Sequence, residues 1–243
     1  MLSEATEHRL TELEQAQNTY LPNADVAAEL GEKTIVLMIG PSCIGKSTIM
    51  QEVAASDPRF AIAGTFTTRE QRSDEIGKHY AYIPYTDDGI AALEDSIRQG
   101  DVVQYAVHPT TKHIYGTTIA DYPNQYNLLD TLATNVKGMR RLPAKAIHTI
   151  GLVAEPAEWT AWFNQRFPEG HADRQKRRGE AVLSLAWLLE QPDGSIHWLV
   201  NGRGLKRSVA QSVINIALWD RRPTTGGSEV AERCLEAAER LPA

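Results

Sequence analysis

The octet Gly-Pro-Ser-Cys-Ile-Gly-Lys-Ser at residues 40–47 limits the folds open to this chain more than any other stretch. An almost wholly apolar run, from Thr34 to Ile39, precedes it and is typical of a strand buried on both faces. Residues 48–55 follow it with apolar side chains at helical spacing. Strand, glycine-containing loop and helix in this order predict a phosphate-binding loop in an α/β domain.

The residue types in this loop suit the polyphosphate of a nucleotide. Gly40 and Gly45 allow the backbone to turn so that successive amide groups point at one anion, beside the positive end of the following helix. We predict that Lys46 reaches the β- and γ-phosphates of a bound nucleotide and that Ser47 binds Mg2+ through its hydroxyl. The predicted ATP-binding residues of the loop are Gly40, Pro41, Ser42, Cys43, Ile44, Gly45, Lys46, Ser47 and Thr48. The alternative is an ordinary glycine-containing turn.

Length, charge and cysteine content narrow the class of protein. A chain of 243 residues suits one large α/β domain or a core with inserted subdomains. The net charge of -6 gives no general attraction to nucleic acid or anionic lipid. Two cysteines make no disulfide framework, and no apolar run approaches the ~18 residues of a membrane span. We therefore expect a soluble, cytoplasmic protein. Cys43 lies among loop amides at a helix start, which favours its thiolate; the alternative is a small, inert loop residue.

A second motif follows a predicted strand at residues 60–66. It reads Thr67-Thr68-Arg69, with Arg72 three residues further on and Tyr80 after several charged positions. Two arginines at this spacing present planar, permanently charged groups that match phosphate oxygens. The phenol of Tyr80 can donate a hydrogen bond to the same phosphate. We predict that all three residues bind an acceptor phosphate; the alternative is a solvated charged loop.

The phosphate loop and the Thr-Thr-Arg segment together resemble the guanylate kinase family of P-loop nucleoside monophosphate kinases. Tyr115-Gly116-Thr117 and Val200-Asn201 also match motifs of that family, and the resemblance covers about residues 33–218. It implies a three-layer P-loop α/β fold with a mainly parallel central sheet, a small acceptor-binding insertion and a lid. It also implies transfer of the γ-phosphoryl group from ATP to GMP or dGMP with Mg2+.

The resemblance assigns roles to individual residues. The implied acceptor-binding residues are Thr65, Arg69, Arg72, Tyr80, Gln104, Tyr115 and Thr117. Asp130 ends a predicted strand and is placed to hold Mg2+ through water opposite Ser47. Asn201 is implied to lie near the adenine of ATP. The lid arginines of the family close over the transferring phosphate, so the predicted catalytic residues are Lys46, Arg166, Arg174 and Arg178. A solvated helix start is the alternative for the cluster at residues 174–179.

The chain departs from the family pattern at two positions. Gln104 stands where the family has a glutamate that reads guanine, and Leu132 stands where it has a second aspartate. A carboxylate accepts two hydrogen bonds from guanine, whereas the glutamine amide accepts on one atom and donates from the other. We therefore expect weaker guanine selectivity than is typical of the family, or a shifted substrate.

The predicted organisation has three parts. Residues 1–30 form a helical extension, which is either docked or partner-binding; residues 31–220 form the kinase-like domain; residues 221–243 form a linker and a short helix or frayed tail. Within the domain, residues 67–118 are the acceptor-binding insertion and residues 166–179 the lid. Apolar residues at helical spacing predict helices at residues 87–99 with Gly100 as the stop, from Pro156 with Trp159 on the buried side, and at residues 180–190. Two other functions stay open: a P-loop kinase of another phosphorylated small molecule, such as a ribose bisphosphate, and a non-catalytic interaction module. The intact phosphate loop disfavours the second.

Overall fold

A computed structural model describes residues 2–71, 80–108, 111–221 and 226–242. Its contacts divide the chain into two compact units. The first comprises residues 1–34, 61–127 and 135–147, and the second comprises residues 35–60, 128–134 and 148–243. The first unit therefore contains the N-terminal extension and the predicted acceptor-binding insertion. The second contains the phosphate loop, the lid segment and the C-terminal segment.

Regular elements occupy most of the described chain. The helices are α1 (Glu4–Ala16), α2 (Ala24–Leu30), α3 (Lys46–Ser56), α4 (Asp87–Gln99), α5 (Val136–Met139), α6 (Pro156–Arg166), α7 (Arg174–Leu189), α8 (Lys206–Trp219) and α9 (Gly227–Arg240). The strands are β1 (Thr34–Ile39), β2 (Phe60–Ile62), β3 (Thr65–Thr67), β4 (Tyr80–Tyr82), β5 (Val102–Val107), β6 (Ile114–Thr118), β7 (Tyr126–Asp130), β8 (Ala146–Ala154) and β9 (His197–Asn201). Short 3-10 helices lie at Ile119–Asp121 and Ala133–Asn135.

The first unit is built on a four-stranded sheet with the strand order β4-β3-β6-β5. Strands β3 and β4 are parallel, whereas β6 is antiparallel to both β3 and β5. One face of this sheet packs with α1 and α4 into a hydrophobic core. Its buried residues are Leu10, Leu13, Phe66, Ile90, Leu93, Ile97, Val102, Tyr105, Val107 and Ile114. The sequence pattern of α4 already predicted this apolar stripe, ending at Gly100.

The N-terminal helix is a docked part of the first unit. It begins after Ser3, whose hydroxyl accepts from the Thr6 amide at 3.3 Å. The Tyr105 hydroxyl donates to the Leu13 carbonyl at 3.0 Å, and the Tyr20 hydroxyl beyond the helix donates to the Val102 carbonyl at 2.6 Å. Buried leucines and these hydrogen bonds together hold α1 against β5. Of the two roles open to this extension, the structure shows docking.

The second unit contains most of the five-stranded sheet, which has the strand order β2-β7-β1-β8-β9. All six residues of β1 are buried, as the apolar run predicted. Strands β8 and β9 are parallel, with Ile150 opposite His197. Helix α3 packs on α8, and α9 packs on α6, α7 and β9. The predicted α/β class with a mainly parallel central sheet is confirmed.

Two predicted boundaries were wrong. The expected strand at residues 60–66 is two strands, because the Gly64 amide leaves the ladder and donates to the Asp121 carbonyl at 3.2 Å. Helix α7 begins at Arg174 rather than Glu180, so the basic cluster forms its first turns. Of the short helix and the frayed tail predicted for the C-terminal segment, the structure has the helix, α9, with Val230, Cys234 and Ala238 buried. Residues 222–225 of the predicted linker lie outside the described residues.

In the described part of the chain, no helix combines the length and the apolar character that a membrane crossing requires.

Candidate active site

The phosphate loop joins the carboxyl end of β1 to α3 with a tightly fitted backbone. Gly45, the residue before the helix, has a φ of 93°, a conformation that favours glycine. A Cβ atom at Gly40 would lie 2.3 Å from the Leu152 carbonyl oxygen, and one at Gly45 would lie 2.8 Å from Nδ2 of Asn201. A side chain at either position would therefore clash with neighbouring atoms of the same unit, and it would also strain the turn.

Two side chains from outside the loop hold its carbonyl groups. The buried Trp159 of α6 donates from Nε1 to the Ser42 carbonyl at 2.9 Å. Asn201, the last residue of β9, donates from Nδ2 to the Ile44 carbonyl at 2.8 Å. These bonds fix the loop backbone from two sides. Sequence reasoning placed Trp159 only on a buried helix face, and nothing in its pattern indicated the loop. The adenine contact implied for Asn201 stays a prediction.

Lys46 and Asp130 meet at the carboxyl edge of the sheet. The Lys46 ammonium donates to the Gly40 carbonyl at 2.8 Å and to the Pro41 carbonyl at 3.3 Å. It lies 3.8 Å from Oδ1 of Asp130, the last residue of β7. Desolvation by the surrounding protein raises the pKa of the Asp130 carboxyl, although 44% of the side chain is exposed, and Lys46 opposes the shift. Ser47 and Thr48 are exposed in the first turn of α3.

Cys43 is a thiol rather than a thiolate at neutral pH. Its backbone has a φ of 68°, unusual for a residue with a side chain. Burial raises the pKa of its sulfur above the ordinary value, and the charges of Arg166, Lys46 and Arg177 counter only part of that shift. The expectation of a favoured thiolate was therefore wrong, because desolvation outweighs the neighbouring cations.

The lid arginines divide into two groups. Arg174 is 2% exposed, and its guanidinium donates to the carbonyls of Phe167 and Pro242 and to Oδ1 of Asn164. Arg178, four residues on and so on the same helix face, donates to the Leu241 carbonyl. Both side chains thus contact the C-terminal segment. Their predicted part in catalysis stays a prediction.

Arg166 and Arg177 form the second group, because their charges act on the thiol of Cys43 in the phosphate loop. Arg166 ends α6 with its guanidinium over the Phe167 ring, 5.6 Å from the centroid. Arg177 pairs with Glu180 at 2.8 Å. The sequence pattern did not distinguish Arg177 from the other arginines of the basic cluster. Helical spacing would have separated it from Arg174 and Arg178 if the helix had been predicted from residue 174.

Five of the predicted acceptor-binding residues share one face of the four-stranded sheet. Thr65 is paired with Tyr80, and Gln104 is paired with Thr117, which lies two residues after Tyr115 on β6. Paired residues in neighbouring strands project from the same face, as do residues two apart in one strand. This face is opposite the hydrophobic core. The structure therefore brings these five side chains to one face of the sheet, where Thr117 is buried.

Arg69 lies beside this surface, two residues beyond β3. Its amide donates to the Thr67 hydroxyl at 3.3 Å, and its guanidinium lies over the Tyr80 ring, 5.5 Å from the centroid. The predicted neighbours Arg69 and Tyr80 are thus close together. Arg72 lies outside the described residues, so its role stays a prediction.

Thr117 has a buried partner that the sequence did not indicate. The side chain is fully buried, and its hydroxyl lies 3.0 Å from the hydroxyl of Tyr122, which is also buried. Burial raises the pKa of Tyr122, so its phenol is neutral and can donate. The contact between Thr117 and a base, implied by the resemblance, stays a prediction.

The loop at the end of β1, the lysine that follows it and the carboxylate at the end of β7 define the class of P-loop nucleotide-binding α/β proteins. The guanylate kinase family model matches residues 31–148. This stretch includes the phosphate loop and every predicted acceptor-binding residue, and it ends before the lid arginines. The similarity to the guanylate kinase family therefore covers just under half of this chain.

Curated relatives agree with the family match. The chain is 34% identical over 92 residues to a guanylate kinase of Lactococcus lactis, covering 37% of this chain and 41% of that protein. It is 28% identical over 163 residues to a guanylate kinase of Leifsonia xyli, covering 63% and 61% of the two chains. The chain thus matches less than two thirds of the length of either relative. A crystal structure of guanylate kinase from Anaplasma phagocytophilum aligns over 84% of this chain and 95% of its own, with 15% identity and a TM-score of 0.45.

Proposed function

We propose that this protein transfers the γ-phosphoryl group of ATP to a nucleoside monophosphate, with GMP or dGMP as the first acceptors to test. One observation carries the proposal: an intact phosphate loop, whose Lys46 lies 3.8 Å from the strand-end carboxylate Asp130. A non-catalytic interaction module needs neither group. The proposal extends the family match, which concerns residues 31–148, to the activity of the whole chain.

The second unit supplies the ATP site in this proposal. Backbone amides of residues 40–45 point at the β-phosphate, and the Lys46 ammonium moves from its loop carbonyls to the β- and γ-phosphates. Oxygen donors on Ser47 and Asp130 fit Mg2+, which keeps several waters and takes its remaining ligands from phosphates. When bound, Mg2+ would neutralise charge on the transferring group. Trp159 and Asn201 keep the loop in shape.

Lid cations complete the neutralisation of charge. Of the arginines in the segment, Arg166 and Arg177 act electrostatically on the phosphate loop, whereas Arg174 is buried among carbonyl groups. We assign charge stabilisation first to Arg166 and Arg177. Positioned cations lower the barrier because they are already oriented when the phosphoryl group is in flight.

The first unit supplies the acceptor site. Arg69 and Tyr80 would hold the phosphate of the acceptor, and Tyr115 projects from the same sheet face. Gln104 lies further along this face, opposite Thr117, where it would meet the base. In this proposal, the phosphate-binding and base-reading groups lie at different points of one sheet face.

A second candidate substrate class follows from Gln104. A glutamine amide leaves one guanine donor facing a donor, yet it is complementary to adenine, whose amine donates while N1 accepts. A kinase of another phosphorylated small molecule, such as a ribose bisphosphate, would need no base contact at all. Gln104 therefore favours testing acceptors beyond GMP.

A substrate panel tests the proposal. The full chain, ATP and Mg2+ would be incubated with GMP, dGMP, AMP, CMP, UMP or a ribose bisphosphate, and ADP release would be followed. We expect release that depends on a nucleoside monophosphate. ADP release with the ribose bisphosphate alone would indicate a kinase of another phosphorylated small molecule. Equal release without any acceptor would contradict both kinase functions.

A further inference from the structure

Two histidines and an aspartate converge in the second unit, away from the phosphate loop. His148 lies near the start of β8, and His197 is the first residue of the parallel strand β9. Their ring centroids are 5.6 Å apart. Asn201, which contacts the loop, is four residues beyond His197, or roughly 13 Å along an extended strand. The cluster is therefore separate from the proposed catalytic groups.

Asp220 brings a carboxylate to both rings. It follows the last residue of α8, and its Oδ1 lies 3.9 Å from Nδ1 of His148 and 3.6 Å from Nε2 of His197. One ligand atom from each of the three residues lies within 4.8 Å of the others. Two imidazoles and a carboxylate are a donor set that Zn2+ binds in proteins.

The distances from Asp220 to the two imidazoles are close to the spacing of ligand atoms in a tetrahedral site. Zn2+ holds nitrogen and oxygen ligands at about 2.0–2.2 Å, so ligand atoms at tetrahedral corners are about 3.3–3.6 Å apart. The two distances to Asp220 exceed this range by a few tenths of an ångström at most. A small rotation of Asp220 would close the difference, because that side chain is 64% exposed.

Access and preorganisation both suit a metal ion. The exposed carboxylate of Asp220 gives an entry route from solvent, while the histidine side chains are only 13% and 8% exposed. Packing between neighbouring strands fixes the two rings before any ion arrives.

We propose that His148, His197 and Asp220 bind one divalent transition-metal ion, with Zn2+ as the first candidate. Three protein ligands leave the fourth position to water. The ion would tie the amino ends of β8 and β9 to the carboxyl end of α8 and thereby stabilise the second unit. Mg2+ does not compete, because it prefers oxygen ligands to imidazole. The proposal does not depend on the kinase activity.

Two variants and one control test the site. Asp220→Asn removes the anionic ligand, and asparagine tolerates the left-handed backbone at this position, where φ is 48°. His148→Gln removes one imidazole. His8→Gln is the matched control, because His8 is an exposed histidine beside a single carboxylate, Glu12, at 3.4 Å.

The full chain would be stripped with a chelator and titrated with Zn2+ against a chromophoric competitor. We expect one tight site in wild type and in His8→Gln. Asp220→Asn should weaken it more than about a hundredfold, since even residues that only support a ligand cost up to that factor. Free Zn2+ at about 100 times Kd should raise the wild-type Tm by roughly 5–10 °C. Mg2+ should leave the Tm unchanged.

The alternative is a histidine–aspartate cluster that binds no metal. The absence of a stoichiometric Zn2+ site in wild type would overturn the proposal. So would binding that Asp220→Asn leaves intact, because the ion would then be held elsewhere. Should His148→Gln fail to fold, Asp220→Asn still decides, since its side chain is exposed.

Discussion

The side-chain amide of Asn201 donates a 2.8 Å hydrogen bond to the carbonyl of Ile44, inside the phosphate loop. Both groups are buried, so nothing in the solvent replaces this bond when it is lost. Asn201, at the end of the last strand β9, thus holds the backbone of the phosphate loop, which follows the first strand β1. The activity proposed here depends on that backbone.

Asn201→Ala should impair ATP use more than it impairs acceptor use. An unpaired buried carbonyl costs about 1–3 kcal/mol, and the freed loop would orient its amides less well, so kcat/KM for ATP should fall about ten- to a hundredfold. Steady-state kinetics with ATP varied would measure this. Asn215→Ala, on α8, is the control and should keep wild-type values; an equal loss in both variants would contradict the role of Asn201.

Arg177→Met should mainly lower activity, whereas Arg174→Met should mainly lower stability. Arg177→Met should lower kcat at least about tenfold with little change in Tm, since its charge acts on the loop. Arg174→Met should lower stability by about 1–3 kcal/mol, because it leaves buried acceptors unpaired.

Thermal unfolding and kcat, measured on both variants, separate these effects. Arg240→Met, which removes a mostly exposed arginine of α9, is the control for loss of charge. If Arg174→Met kept its Tm and lost kcat, Arg174 would be the lid cation and the present assignment would be reversed.

Cys43 should react slowly with alkylating reagents at neutral pH and faster as pH rises. Only the thiolate reacts, and burial raises the pKa above its ordinary value of 9.0, so the rate should still be increasing above pH 9. Bound ATP should slow the reaction by covering the loop. Labelling followed by mass spectrometry would give the rates.

Cys234 provides an internal comparison for this measurement. It is buried in α9, where burial raises its pKa to about 12. The Cys43→Ser protein, in which Cys234 is the remaining cysteine, should therefore hardly react with the alkylating reagent until it unfolds. A rate at Cys43 that levels off below pH 8 would show a thiolate and contradict the structure.

Gln104→Glu should raise kcat/KM for GMP relative to AMP. The carboxylate would accept from both guanine donors, and removing one mismatched group is worth about 1–3 kcal/mol, or roughly ten- to a hundredfold in preference. Gln99→Glu, at the exposed end of α4, controls for the added charge. If wild type already prefers GMP more than about a thousandfold and Gln104→Glu changes nothing, Gln104 does not read the base.

Local sequence patterns predicted the elements that local forces determine. The apolar run of β1, the stripe of α4 and its glycine stop follow from burial and backbone preference, and the structure has them at the predicted residues. The phosphate loop was predictable because its chemistry needs particular residues at fixed spacing.

Contacts between distant segments were not predictable in this way. The docking of α9 on α7 directs Arg174 and Arg178 to the C-terminal carbonyls, although the sequence shows only a basic cluster. His148, His197 and Asp220 are far apart in the chain and meet only because β8 and β9 are neighbours. No spacing in the sequence indicates such a cluster.

Lys46→Ala tests the central claim most directly. The ammonium is the positive charge that the loop brings to the β- and γ-phosphates, and backbone amides alone cannot replace it. ADP release with the best acceptor of the panel should fall at least about tenfold in kcat, while Lys137→Ala, an exposed lysine of α5, should match wild type. A Lys46→Ala protein that folds and keeps more than about a tenth of wild-type kcat, a loss under ~1.4 kcal/mol, would contradict phosphoryl transfer at this loop.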